Sequence, residues 1–114
     1  MTPGEPRGPA QAVAAHCELF NRCVESGDWK PFLDTFTEDA VMTVQRPPLP
    51  AFVGREAIAA AYAEAPPRWT MQVTDVREQG ADTAVVGFRW SSGRPGAMTV
   101  TWRGSAVCAV RISL

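Results

Sequence analysis

Ionisable side chains suited to chemistry near neutral pH are scarce here: one histidine, His16, one tyrosine, Tyr62, one lysine, Lys30, and three cysteines in 114 residues. Eleven basic residues face twelve acidic ones, and the net charge of −1 leaves no basic footprint for a phosphate backbone, which argues against nucleic-acid binding. No apolar run approaches the roughly 18 residues a bilayer span requires, so no membrane partner is expected. Cys17 and Cys23 stand six residues apart on one predicted helix and cannot bridge, and an odd thiol count fits small buried side chains in a reducing cytoplasm. No set of His, Cys, Asp and Glu has metal-ligand spacing, and neither a glycine-rich phosphate loop nor a Ser-His-Asp order occurs. The expectation is therefore no metal and no cofactor. The opening "MTPGEPRGPA" has three prolines and no apolar core of a secretory signal. It reads as an extended tail over residues 1–9, ahead of a single domain over residues 10–114.

Periodicity supplies what composition does not. "AQAVAAHCELFNRCVESG" places Val13, His16, Phe20 and Cys23 at three- and four-residue steps, which predicts a helix over Ala10–Ser26 with Gly27 as its left-handed cap. Asp28 is placed to cap a short second helix, "WKPFLDTF", with Pro31 in its first turn. After Thr37 the period falls from 3.6 to 2, and "AVMTVQR" becomes a strand with Met42 and Val44 on one face. "REAIAAAYAEA" predicts a third helix, with Ile58 and Tyr62 inward and Pro66-Pro67 as its stop. Four further strands follow. They carry Trp69, Met71 and Val73; Val86, Phe88 and Trp90; Met98, Val100 and Trp102; and Cys108, Val110 and Ile112 on their apolar faces. Gly104-Ser105 suits a type II′ hairpin turn. Thr99, Thr101, Ser113, Arg89, Arg103 and Arg111 fall on the opposite face, which makes an antiparallel sheet covered on one side only. The fold class is α+β: helices packed in a strongly curved, mixed and mostly antiparallel sheet.

A helix ending in Ser26-Gly27-Asp28, then "FLDTFTEDAV", "FVGREAIAAAY" and four antiparallel strands resembles the nuclear transport factor 2-like superfamily, in its SnoaL-like and ketosteroid-isomerase-like branch. The resemblance spans Gln11 to Leu114. It implies a conical α+β barrel, three N-terminal helices in a curved sheet, with an apolar pocket at the open end and a homodimer built through the sheet face. It also implies where chemistry would sit. The isomerases place a general-base aspartate on the first strand, a tyrosine on the first helix and a protonated aspartic acid on a late strand. Here those positions fall at Val44, Phe20 and about Val100, all hydrocarbon, so the isomerase mechanism does not carry over. The pocket tyrosine of the third helix is matched by Tyr62.

The expected polar participants are thus His16, one turn before Phe20, and Tyr62. Each has a plainer reading: a packed imidazole bonded to a backbone carbonyl, and a core aromatic with its hydroxyl at the rim. Phe20, Met42, Val44, Phe88, Trp90, Val100 and Trp102 are the expected walls for a small hydrophobic molecule. Asp75 falls in phase with Met71 and Val73, with a bulge or an exit to solvent as its expected fate. Two functions remain open at this point. One is assisted cyclisation or isomerisation of a polyketide- or steroid-like compound. The other is a non-catalytic homodimeric module that sequesters a ligand or binds a protein.

Overall fold

The computed structural model describes residues 8–45 and 49–113. Most of the expected tail lies outside the described residues, and Pro9 already belongs to the first helix, α1 (Pro9–Ser26). A proline costs nothing at that position, because its missing N–H would have no partner within the helix. The N–H of Ala10 is satisfied from outside the helix, donating to Glu78 Oε2 at 3.1 Å. At the other end Gly27 takes φ 78° and donates to the Cys23 carbonyl at 2.8 Å, closing the helix as expected.

The second helix is shorter than its sequence suggests. Asp28 accepts the Lys30 N–H at 3.1 Å, but α2 covers only Lys30–Leu33. Thr35 ends it by donating its hydroxyl to the Phe32 carbonyl at 2.6 Å. The Thr35 carbonyl then accepts the Val107 N–H at 2.8 Å, so pairing with the last strand begins here. The first strand, β1 (Phe36–Val44), therefore starts before Thr37, at a phenylalanine predicted to be helical.

A two-residue β2 (Phe52–Val53) leads into α3 (Arg55–Glu64), followed by β3 (Met71–Glu78), β4 (Thr83–Trp90), β5 (Pro95–Arg103) and β6 (Ala106–Ser113). The sheet order is β2-β1-β6-β5-β4-β3. β3 to β6 form an antiparallel meander, β1 joins β6 in parallel, and β2 pairs antiparallel with β1. The sheet is mixed and mostly antiparallel, as expected, and the third helix lies between β2 and β3, after the first strand as its place in the sequence requires. At the β5–β6 turn Gly104 has φ 63° and no non-glycine among the described residues has positive φ, which agrees with a type II′ turn.

Three register shifts break the simple alternation, the first of them in the β1–β6 pairing between Phe36 and Val41. The β3–β4 register shifts between Val73 and Asp75, so Asp75 leaves the inward phase and is exposed, its carboxylate lying over Gly87, which has no side chain to oppose it. The β5–β6 register shifts between Thr101 and Trp102, and the inward position opposite Trp102 is Val107. Cys108, expected inward, is only half-buried, while Val107 is fully buried. A bulge adds one residue to one strand and so reverses the facing of the residues beyond it.

α1 packs on β3 and β4, while α3 packs on β1 and β2. The helices thus cover opposite halves of the concave face. Between them Phe32 is 2% exposed, with ring centroids 4.9 Å from His16, 5.6 Å from Phe20, 5.7 Å from Trp29, 5.2 Å from Phe36 and 5.9 Å from Tyr62. Such edge-to-face and tilted contacts add about 0.5–1.5 kcal/mol per pair beyond area burial. Phe32 joins the three helices and β1 into one core. None of the helices among the described residues is long and apolar enough to cross a membrane.

Candidate functional site

Where α1 and α3 diverge over the sheet, a cavity of about 350 Å³ remains. Paired strands bring its walls together: Val44 lies beside Ile112, Ile112 beside Met98, and Met71 beside Trp90. Phe88 faces Gly96 across β4 and β5, and its ring occupies the space a side chain at Gly96 would need. A Cβ there would stand 2.7 Å from the ring carbons, so glycine is what lets the ring lie flat across β5. The exposed ends of Leu49, Arg68 and Trp69 form the mouth.

Asn21 holds the mouth side of β3 to α1. Its amide donates to the Met71 carbonyl at 2.9 Å and accepts the Met71 N–H at 2.8 Å. β3 is an edge strand, and these bonds satisfy backbone groups that have no neighbouring strand. Nothing in the hydrophobic pattern of α1 singles out Asn21 for this task.

His16, Tyr62, Phe20, Met42, Val44, Phe88 and Trp90 all line the cavity. Val100 and Trp102 do not. Val100 shares a row of the sheet with Val110 and Met42 but is completely buried. Trp90 and Trp102 both come late in their strands, and β4 and β5 run antiparallel, which puts the two rings at opposite ends of the sheet. Trp102 therefore packs at the closed end, beside Val107. Trp69, placed inward by its phase, precedes the first residue of β3 and is 52% exposed.

His16 is 8% exposed and stacks at a tilt on Phe32. Burial penalises the imidazolium, and no hydrogen bond or acid compensates, so its pKa falls from 6.5 to about 4. No bond to a backbone carbonyl forms among the described residues. At neutral pH the ring is uncharged, with one nitrogen able to donate and the other to accept. Tyr62 is also buried, and burial holds its phenol protonated well above the usual pKa. Its hydroxyl meets only the Met42 sulfur, at 3.9 Å, a weak acceptor that a carbonyl oxygen would displace. Arg68, which the hydrophobic pattern does not select, is the one formally charged side chain on the lining at neutral pH among the described residues. Its signal was available: it directly follows the Pro66-Pro67 stop of α3.

On the other face of the sheet, Val41, Thr43, Val85, Thr99, Thr101 and Arg111 border a second concavity of about 560 Å³. Two of the outward arginines are engaged within the chain. Arg89 donates to the Gly93 carbonyl at 2.7 Å, and Arg103 pairs with Asp39 at 3.0 Å. Among the described residues no group of three or more His, Cys, Asp and Glu could hold a metal ion.

The family model of the SnoaL-like domain matches residues 8–112 of this chain. No curated protein matches the sequence. Among solved structures, a protein assigned as an isomerase from Bacillus subtilis superposes with a TM-score of 0.73 at 14% identity, over 94% of this chain and 88% of that one. SalBIII, an epoxide hydrolase/cyclase-like enzyme with a role in pyran ring formation in the polyether salinomycin, gives 0.70 at 15% identity, over 92% of each chain. A protein assigned as a polyketide cyclase from Xanthomonas campestris pv. campestris gives 0.62 at 17% identity, over 91% and 90%. At these identities the likeness is one of fold.

Proposed function

Since the chain belongs to the SnoaL-like domain family, we propose that its cavity binds a compact hydrophobic ring compound and assists its cyclisation or isomerisation. The observation that carries this reading is the presence of two buried polar side chains, His16 and Tyr62, on a lining that is otherwise apolar away from Arg68 at the mouth. A buried polar atom without a good partner is costly in a filled core and useful in a binding site. At about 350 Å³ the cavity lies near the small end of ligand pockets, which span about 300–1,000 Å³. That favours a compact polyketide-derived ring over a long chain.

The chemistry follows from what lines the site. Val44 stands where a carboxylate base would act, and no carboxylate replaces it on the lining. Tyr62 Oη can donate to a substrate carbonyl and stabilise the oxygen as charge develops there. The neutral His16 nitrogen can take a proton from the adjacent carbon and return it to another. A base with a pKa near 4 is weak, so most of the acceleration would come from holding the substrate in its reactive shape. The neighbours assigned as cyclase and isomerase support this class of reaction.

The test is intrinsic tryptophan fluorescence, since Trp69 and Trp90 line the cavity. Titration with a panel of apolar ring compounds should quench or shift the emission of the wild type. Tyr62→Phe and His16→Ala should each weaken the response to carbonyl-bearing members by about fivefold, the worth of one net hydrogen bond. A flat response to every compound would overturn the reading.

A second reading rests on the outer concavity. Its mixed Thr, Val and Arg lining suits a wet interface, and the proposal is a cytoplasmic homodimer joined through the sheet face. Without turnover, the same dimer would serve as a ligand-sequestering module.

A further inference from the structure

We infer that Arg68 makes the cavity selective for a ring compound bearing one carboxylate, with the ring inside and the carboxylate at the mouth. The inference rests on the proposed ligand-binding role of the cavity and specifies the chemistry of its ligand. Among the described residues Arg68 is the only lining group charged at neutral pH, and no Asp or Glu shares the lining. An incoming carboxylate therefore meets one cation and no like charge. The ion pairs of the described residues are Lys30–Asp34, Arg55–Glu38 and Arg103–Asp39, none of them at the mouth. Among the described residues Arg68 has no ion-pair partner, and its guanidinium faces solvent at the mouth.

Desolvation sets the orientation. An ionised carboxylate carried into the interior would lose several kcal/mol, and the neutral donors of His16 and Tyr62 offer no opposite charge to restore it. His16 cannot supply the charge, because burial holds it neutral. The apolar body therefore enters, and the carboxylate stays at the rim, where Arg68 is exposed to solvent. Trp69, next in the chain and half-exposed beside it, offers a flat ring for the outer edge of the same ligand. Pro66 and Pro67 restrict the backbone leading to both residues. A planar guanidinium also matches a carboxylate through two parallel charge-assisted N–H···O bonds, whereas a neutral carboxamide offers one uncharged acceptor oxygen and binds there more weakly.

Calorimetric titration with naphthalene-2-carboxylate and its neutral isostere naphthalene-2-carboxamide isolates the charge. In the wild type at low salt the carboxylate should bind about fivefold tighter than the amide, the upper range for an exposed ion pair. The preference should shrink at high salt. In Arg68→Gln the ratio should fall to about one, and Arg68→Lys should restore part of it. Amide binding by each variant reports that its cavity is intact. A ratio near one in the wild type, or a preference that survives in Arg68→Gln, overturns the inference while leaving the cavity a ligand site. Failure of both probes to bind the wild type overturns the inference and the underlying reading together.

Discussion

His16 should make the stability of this protein fall between pH 7 and pH 4, through a mechanism that one substitution removes. In the folded chain its pKa is about 4, against an ordinary value of 6.5. Below that ordinary value the unfolded chain takes up a proton, while the folded chain refuses it until the pH nears 4. Stability is therefore retained above about 6.5 and lost as the pH falls through this window. At 1.36 kcal/mol per pKa unit the full loss is about 3 kcal/mol, of which about 2 kcal/mol has gone by pH 5. His16→Phe puts a ring of similar size among Phe20, Phe32 and Phe36 and cannot titrate. Urea unfolding of both proteins at pH 7 and pH 5 gives the comparison, and carboxylate effects such as that of Asp39 cancel between them. With a slope of about 2 kcal/mol per molar urea, the wild-type midpoint should drop by roughly 1 M more than that of the variant. Parallel losses in the two proteins would show that the imidazole has a hydrogen-bonding or charged partner in solution, and the description of the site would be wrong.

Gly96→Ala should drive the Phe88 ring toward the cavity, because the added methyl would stand 2.7 Å from its ring carbons. The cost expected for such overpacking is about 1–3 kcal/mol in urea unfolding, with weaker binding of ring compounds; unchanged stability and affinity would refute the flat placement of Phe88. For the sheet-face dimer, light scattering at micromolar concentration should show a mass twice the 12.3 kDa of the chain. A 12.3 kDa species alone would refute the dimer.

Local pattern was enough for the elements. The stripe of Val13, His16, Phe20 and Cys23, the cap at Gly27 and the alternation in β4 and β5 each depend on a period that one segment carries alone. The hydrocarbon character of the β1 wall at Met42 and Val44 was also legible, since it needed only the residue identities and the alternation of one strand. That His16 and Tyr62 would face the same interior followed from helix phase.

Tertiary structure decided matters that depend on two segments at once. Trp90 and Trp102 have the same phase and the same late position, yet only antiparallel pairing shows that they stand at opposite ends. The bulges that turn Asp75 and Cys108 out of phase exist because one strand carries a residue its neighbour does not match. Arg68 stands just after the Pro66-Pro67 stop in the sequence, and only the tertiary structure places it on the lining of the cavity. Side-chain facing along an unbroken helix or strand follows from that segment's own period, which the sequence carries by itself. The meeting of faces, and the space left where they do not meet, depends on register and on how far the helices reach, which no single segment encodes.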